Sequence, residues 1–134
     1  GSTFVPLILG SDKTTVSVRT GNNKFYTLYL SVGHVWNSVR CAHWDALVLI
    51  AFLTIPKTTK EHAGDTAFQK FHWQLFHSLL ATILNPLNPA MSTPEVVVFG
   101  DGHFHHVVYG LGPYIADYEE QALLTYIVQG WCPR

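Results

Sequence analysis

The sequence predicts an α/β (α+β) fold built on a mixed sheet, and three observations carry that expectation. Short runs of β-branched and aromatic residues crowd the first third of the chain and return after Pro94. Between them lies one long stretch whose apolar residues recur every three to four positions. A shorter helical stretch follows the last strand.

Taken in order, residues 4–10 form an apolar run with Pro6 near its start and read as a strand. Ser11-Asp12-Lys13 reads as a turn, and residues 14–19 alternate with β-branched side chains as a second strand. Thr20-Gly21-Asn22-Asn23 is a strong turn signal. Residues 24–32 are rich in Tyr, Phe, Leu and Val and read as a third strand, which completes an antiparallel meander. Residues 34–45 select no single element, and residues 47–53 fit either a strand or a buried helix turn. The clearest helix covers residues 61–84, where Phe68, Phe71, Leu75, Leu79, Ile83 and the neighbours Phe76, Leu80 and Leu84 fall at three- and four-residue spacings. Pro86 and Pro89 are expected to stop it. Residues 95–99 and 103–109 flank Gly100-Asp101-Gly102, a hairpin signal, and Tyr114 and Ile115 prolong this strand region towards Asp117. Residues 119–128 read as a closing helix, cut off by Gly130 and Pro133. No repeat or low-complexity tract interrupts the series, so residues 1–134 read as one domain.

Composition narrows the function. Apolar residues make up 48% and charged residues 13% of the 134, against about a quarter charged in ordinary soluble domains. Either the rest of a larger protein covers much of the surface, or surface charge has been lost. The chain starts at Gly1, which fits a start inside a longer gene product or a Gly1-Ser2 cloning scar. The longest apolar candidate, residues 46–55, is bounded by Asp45 and Pro56 and falls short of the ~18 residues of a membrane span. No secretory pattern is visible, and Cys41 and Cys132 have no framework spacing, so free thiols are expected. The formal net charge is −1, and the eight Lys and Arg are scattered except for Lys57 and Lys60. That argues against independent DNA binding, which draws much of its affinity from phosphate neutralisation.

Three leading strands, a helical region, a further strand and a closing helix is the order of an RNase H-like core. In that architecture an acid at the end of the first strand meets an acid at the end of the fourth, and here those positions are Asp12 and Asp117. Paired carboxylates suit Mg²⁺, which keeps several waters, and phosphodiester transfer uses two such ions. Each residue also has a structural reading. Asp12 sits in what any tight turn would use, and Asp117 three residues before Glu120 is a capping-box pattern. Local spacing alone favours the structural readings.

Other residues carry less. His103 and His105 share a strand face and fit a zinc pair, but His106 points away and no further Cys, His or Asp cluster has ligand spacing. His72 and His77 read as surface or boundary residues of the long helix, and Trp36, Trp44, Trp73 and Trp131 as core anchors. Ser11, Cys41 and Cys132 lie in no nucleophile motif, and Pro113 spoils Gly110-x-Gly112 as a phosphate loop.

Longer stretches decide more than these motifs do. Leu7-Ile8-Leu9-Gly10-Ser11-Asp12-Lys13-Thr14-Thr15-Val16-Ser17-Val18 and Tyr26-Thr27-Leu28-Tyr29-Leu30-Ser31-Val32-Gly33 open the pattern. Phe52-Leu53-Thr54-Ile55-Pro56-Lys57 and Phe71-His72-Trp73-Gln74-Leu75-Phe76-His77-Ser78 continue it. It closes with Asp101-Gly102-His103-Phe104, then Tyr109-Gly110-Leu111-Gly112-Pro113-Tyr114-Ile115-Ala116-Asp117-Tyr118, and Ile127-Val128-Gln129-Gly130-Trp131-Cys132-Pro133. In one register over nearly the whole chain, the sequence resembles the catalytic core of the Plavaka-type, CACTA-related DNA transposases of fungi.

The resemblance implies cut-and-paste chemistry on transposon-end DNA in the nucleus, with Asp12 and Asp117 as the first two catalytic acids and ligands of Mg²⁺ or Mn²⁺. It implies no small-molecule substrate, and it leaves room for a homo-oligomer. It also marks departures. The family motif runs past Cys132 to a second cysteine of a zinc-binding insertion, so Cys132 is a candidate ligand of a structural Zn²⁺ completed further on. The family's third acid lies downstream, Glu119 stands where the family usually has Pro, and arginines are expected near residues 41–44 and at His105-His106. The chain therefore reads as a fragment, incomplete at its C-terminus and inactive alone. The rival reading is a non-catalytic α/β interaction domain derived from a decayed or domesticated element.

Overall fold

The computed structural model describes residues 1–17, 23–42, 46–54, 56 and 64–125. Among the described residues, five strands and four α-helices follow one another as β1 (Thr3–Ser17), β2 (Asn23–Val32), α1 (Asn37–Ala42), β3 (Val48–Leu53), α2 (Thr66–Leu84), α3 (Asn88–Ser92), β4 (Glu95–Val98), β5 (Phe104–Ile115) and α4 (Tyr118–Thr125). The strands form one sheet in the order β3-β2-β1-β5-β4. β1 pairs with β5 in parallel and β4 pairs with β5 antiparallel, so the α+β class and the mixed sheet are as expected.

The first correction concerns residues 11–13. The expected turn does not form, and the first two expected strands are one 15-residue strand, β1. Gly10 still pairs with Ile115, and the Asp12 carbonyl accepts a hydrogen bond from Thr27 Oγ1 of β2 at 3.1 Å. Pairing up to Gly10 and the Thr27 bond at Asp12 thus carry the strand on, which overrides the turn preference of Ser and Asp. The turn signal at residues 20–23 falls largely on residues 18–22, outside the described residues. The ambiguous run at residues 47–53 is strand β3, and residues 34–45 contribute the short helix α1.

The long helix begins at Thr66, five residues later than expected, while residues 61–63 lie outside the described residues. Asp65 caps it: its Oδ1 accepts from the Ala67 N–H at 3.1 Å. α2 ends at Leu84, as expected ahead of Pro86, and two short helical pieces follow it. Pro86 starts a 3₁₀ turn over Asn85–Leu87 and Pro89 starts α3, since a first-turn proline gives up an N–H that has no helical partner. The hairpin at residues 99–103 is as expected. Gly102 takes φ of 79°, the Phe99 N–H donates to His103 O at 3.0 Å, and β4 and β5 diverge from there. The closing helix is α4, and residues 126–128 of the expected span lie outside the described residues.

The chain packs as two compact units. One comprises Gly1–Gly10, Tyr29–Ile50 and Leu84–Ile115. Its core takes alternate residues of β1, Val5, Leu7 and Leu9, with Val107 of β5 fully enclosed and Ala90 of α3 buried. β5 is approached so closely by the Phe4 ring that a Cβ on Gly110 would stand 2.4 Å from it. Phe4, Val96, Val98 and Phe104 remain exposed. Trp36, expected in the core, is 81% exposed; Trp73 is partly buried, and Trp44 and Trp131 lie outside the described residues.

The other unit comprises Ser11–Leu28, Ala51–Ile83 and Ala116–Arg134. Tyr26 and Leu28 of β2, Leu53 of β3, Phe76 and Leu80 of α2 and Ala122 of α4 are buried in it. Each large side chain enclosed this way contributes roughly 1.5–3 kcal/mol. The i, i+4 pair Phe76 and Leu80 is the apolar stripe that the helical period predicts, and the Phe76 ring stacks on Tyr26 at 6.1 Å. This second unit carries both candidate acids.

Candidate active site

Asp12 and Asp117 both lie just past the parallel ladder of β1 and β5. In the parallel ladder of β1 and β5 the last paired residues are Gly10 and Ile115, and each acid lies two residues beyond its own strand's member of that pair. Side chains alternate along strands, so a step of two keeps each acid on the face of the residue it follows. Between Leu7↔Leu111 and Leu9↔Tyr114 the register shifts by one residue in β5. That bulge contains Gly112 and Pro113, residues suited to a break in the ladder because Pro has no N–H to leave unpaired. The bulge moves the β5 partner on by one residue, so that Gly10 pairs with Ile115.

Neither acid behaves as its local motif suggests. Asp12 lies within a strand, exposed, with its Oδ2 accepting from Thr14 Oγ1 at 2.5 Å. Asp117 is exposed and immediately precedes α4. Its carbonyl accepts from the N–H groups of Glu120 at 3.0 Å and Gln121 at 2.9 Å. The Glu120 carboxylate does not complete a capping box. It instead accepts from Ser11 Oγ at 2.5 Å, across a separation of 109 residues.

Glu120 is the residue that sequence reasoning passed over. It is only 5% exposed, and its Oε1 finds no hydrogen bond of ordinary geometry. Burial pushes its carboxyl above the ordinary carboxylate range. The negative charges of Asp117 and Asp12 push the same way, while the Ser11 hydroxyl and, more weakly, the Tyr26 hydroxyl pull it back. Both exposed acids are therefore near enough to Glu120 for their charges to be felt. Around them, α4 is steadied by Gln121 Nε2 donating to Ala116 O at 2.6 Å and by His77 Nε2 at 3.4 Å from Leu123 O. On α2, burial lowers the His72 pKa and the Lys13 charge lowers it further, so Lys13 is close to His72.

As a donor set, two exposed carboxylates at one strand end fit a hard divalent ion that retains water ligands. Among the described residues no group of three or more His, Cys, Asp and Glu is placed to hold a metal together. The histidine cluster is organised differently. His105 Nε2 lies 3.2 Å from Asp101 Oδ2 and its ring stacks on Phe99 at 4.3 Å. The His103 N–H donates to Asp101 Oδ1 at 2.9 Å, and His106 faces Val96 across the β4–β5 ladder. Hydrogen bonds from the His103 N–H and the His105 ring hold the Asp101 carboxyl below its ordinary range. Cys132 lies outside the described residues.

In comparison with known families, the Plavaka transposase family model matches residues 1–134, the whole chain. The chain belongs to the Plavaka transposase family. No curated protein and no protein of known structure matches it. Membership of this transposase family implies transposon-end DNA as the partner. Among the described residues, no helix of this Plavaka chain is long and apolar enough to cross a membrane.

Proposed function

We propose that the chain supplies part of an RNase H-like catalytic core for cut-and-paste DNA transposition, with Asp12 and Asp117 as ligands of Mg²⁺ or Mn²⁺. The parallel β1–β5 pairing supports this reading most directly, since each acid follows its own strand's last paired residue by two positions although 105 residues separate them in sequence. Bound there, the ion supplies Lewis-acid stabilisation and a more acidic water. Asp12 and Asp117 hold and orient it, and Thr14 fixes the Asp12 carboxylate. In the intact enzyme a water oxygen displaces a DNA 3′-oxygen from phosphorus. The freed 3′-hydroxyl then attacks a target phosphodiester, with the broken strand's oxygen taking up the proton. The nucleus is the compartment this substrate requires.

Alone, the chain is inactive in this reading, because among the described residues no three such groups are placed to hold a metal and the Lys and Arg number only eight. The exposed Phe4, Val96, Val98 and Phe104 favour the second reading, a non-catalytic interaction domain. Incubating the chain with plasmid DNA and Mg²⁺ or Mn²⁺, beside Asp12→Ala, separates the parts. The expected result is no cleavage above background, with Mn²⁺ binding lost in the variant. Cleavage that vanishes in Asp12→Ala would overturn the inactivity, and unchanged Mn²⁺ binding would overturn the metal assignment.

A further inference from the structure

We infer that Glu120 is a positioning residue of the acid pair: through Ser11 it locks the first turn of α4 to β1 and so sets the spacing of Asp117 and Asp12. The inference rests on the metal reading above. A chain of short links carries it. Ser11 is the neighbour of Asp12 on β1, and its hydroxyl donates to Glu120 Oε2 at 2.5 Å. Glu120 in turn donates its N–H to the Asp117 carbonyl at 3.0 Å, as does Gln121 at 2.9 Å, so Asp117 moves with the turn that Glu120 anchors. On the other side, Thr27 Oγ1 holds the Asp12 carbonyl at 3.1 Å. The loop closes from Asp12 through Ser11 and Glu120 to Asp117.

The burial of Glu120 is what separates this link from an ordinary surface bond. A carboxylate that is 5% exposed, with Oε1 short of a good partner and two like charges nearby, is a costly choice for a core position. An apolar residue there would be more stable but could not accept from Ser11. A hydrogen bond between groups 109 residues apart, each adjacent in chain or helix turn to a candidate ligand, gives that choice a purpose.

The test uses Mn²⁺ binding by the full chain, followed by electron paramagnetic resonance, with thermal unfolding in parallel. Ser11→Ala and Glu120→Ala should each weaken Mn²⁺ binding by about tenfold, and the double variant should be no worse than either alone. Glu120→Gln keeps a carbonyl acceptor for Ser11 and should bind within about twofold of the parent. Leu28→Ala loosens the same unit's core without touching the link and should leave binding unchanged below its melting temperature. Equal loss in Glu120→Gln and Glu120→Ala would overturn the inference in favour of charge, as would additive losses or wild-type binding in Ser11→Ala. If Glu120→Ala fails to fold, Ser11→Ala and Glu120→Gln still decide. Asp12→Asn separates the two ideas: lost binding there with intact Ser11→Ala binding sinks only the positioning role, whereas unchanged Asp12→Asn binding ends both.

Discussion

Two clusters of acids and their partners sit in this chain, and they are opposite in character. Asp101, His103 and His105 are adjacent in sequence, exposed or half-exposed, and mutually satisfied, with the Asp101 carboxyl held below its ordinary range by the His103 N–H and the His105 ring. Ser11 and Asp12 meet Asp117 and Glu120 from the far side of the chain, and there burial pushes the Glu120 carboxyl up. The near cluster looks like a ligand set in the sequence, yet its carboxylate is already taken by the hairpin that carries it. The far cluster has two exposed acids, Asp12 holding the Thr14 hydroxyl and Asp117 directly preceding α4. Proximity in sequence is a poor guide to available ligands when a short loop has its own backbone to satisfy.

The largest expected effect tests that contrast directly. Asp12→Asn or Asp117→Asn should weaken Mn²⁺ binding by about tenfold or more, because each removes half of the anionic ligands from a hard-cation site. Asp101→Asn and His105→Ala should leave it within about twofold. Calorimetric titration of the four variants reads both halves, and a larger loss at Asp101 than at Asp12 would invert the comparison.

Much of the fold was legible. The 3.6-residue period gave α2, the Gly100-Asp101-Gly102 signal gave the β4–β5 hairpin, and alternation gave the strands on either side. What local rules missed were effects of pairing. Ser11-Asp12-Lys13 has turn chemistry, but Thr27 of β2 holds it extended at the Asp12 carbonyl. Asp117 and Glu120 have capping-box spacing, but Ser11, 109 residues from Glu120, claims the glutamate. The acid pair itself was drawn from strand order and family likeness, since no local motif contains it. The bulge at Gly112-Pro113, which shifts the β1–β5 register by one residue, left only a Gly-Pro trace in the sequence.

The hairpin's rigidity is the next point at which the comparison can be sharpened. Gly102 takes φ of 79° with nothing within 4 Å of where a Cβ would stand. Gly102→Ala therefore tests backbone strain alone, and about 1–2 kcal/mol should be lost in denaturant unfolding. Mn²⁺ binding should not follow. If it falls with the hairpin, the near cluster contributes to the ion site after all.

A smaller effect separates the clusters by pH. The Glu120 carboxyl is raised above its ordinary value of 4.5 by burial first, then by Asp117 and Asp12. A raised folded-state pKa means stability that is fully present below the unfolded value and is lost as pH rises through the folded value. In metal-free buffer, Glu120→Gln removes that loss. Its melting temperature should exceed the parent's by about 3 °C at neutral pH, and the advantage should fade as pH is lowered towards 4.5. An advantage that grows on acidification would mean that Glu120 is held as a stabilised anion.

Asp101 should show the reverse sign and the smallest size. Its carboxyl lies below the ordinary value of 3.8, first through the His103 N–H and then through the His105 side chain. A lowered folded-state pKa gives stability that is present above the unfolded value and is lost as pH falls through the folded one. The group is exposed, so water and salt already screen most of its attraction to His105. Asp101→Asn also keeps an Oδ1 to accept from the His103 N–H. Differential scanning calorimetry should therefore find the variant within about 2 °C of the parent at neutral pH, with the small difference gone below pH 3.8. A drop of many degrees at neutral pH would show that the Asp101–His105 pair clasps the hairpin. The near cluster would then be as essential to the fold as the Ser11–Glu120 link is argued to be to the acid pair.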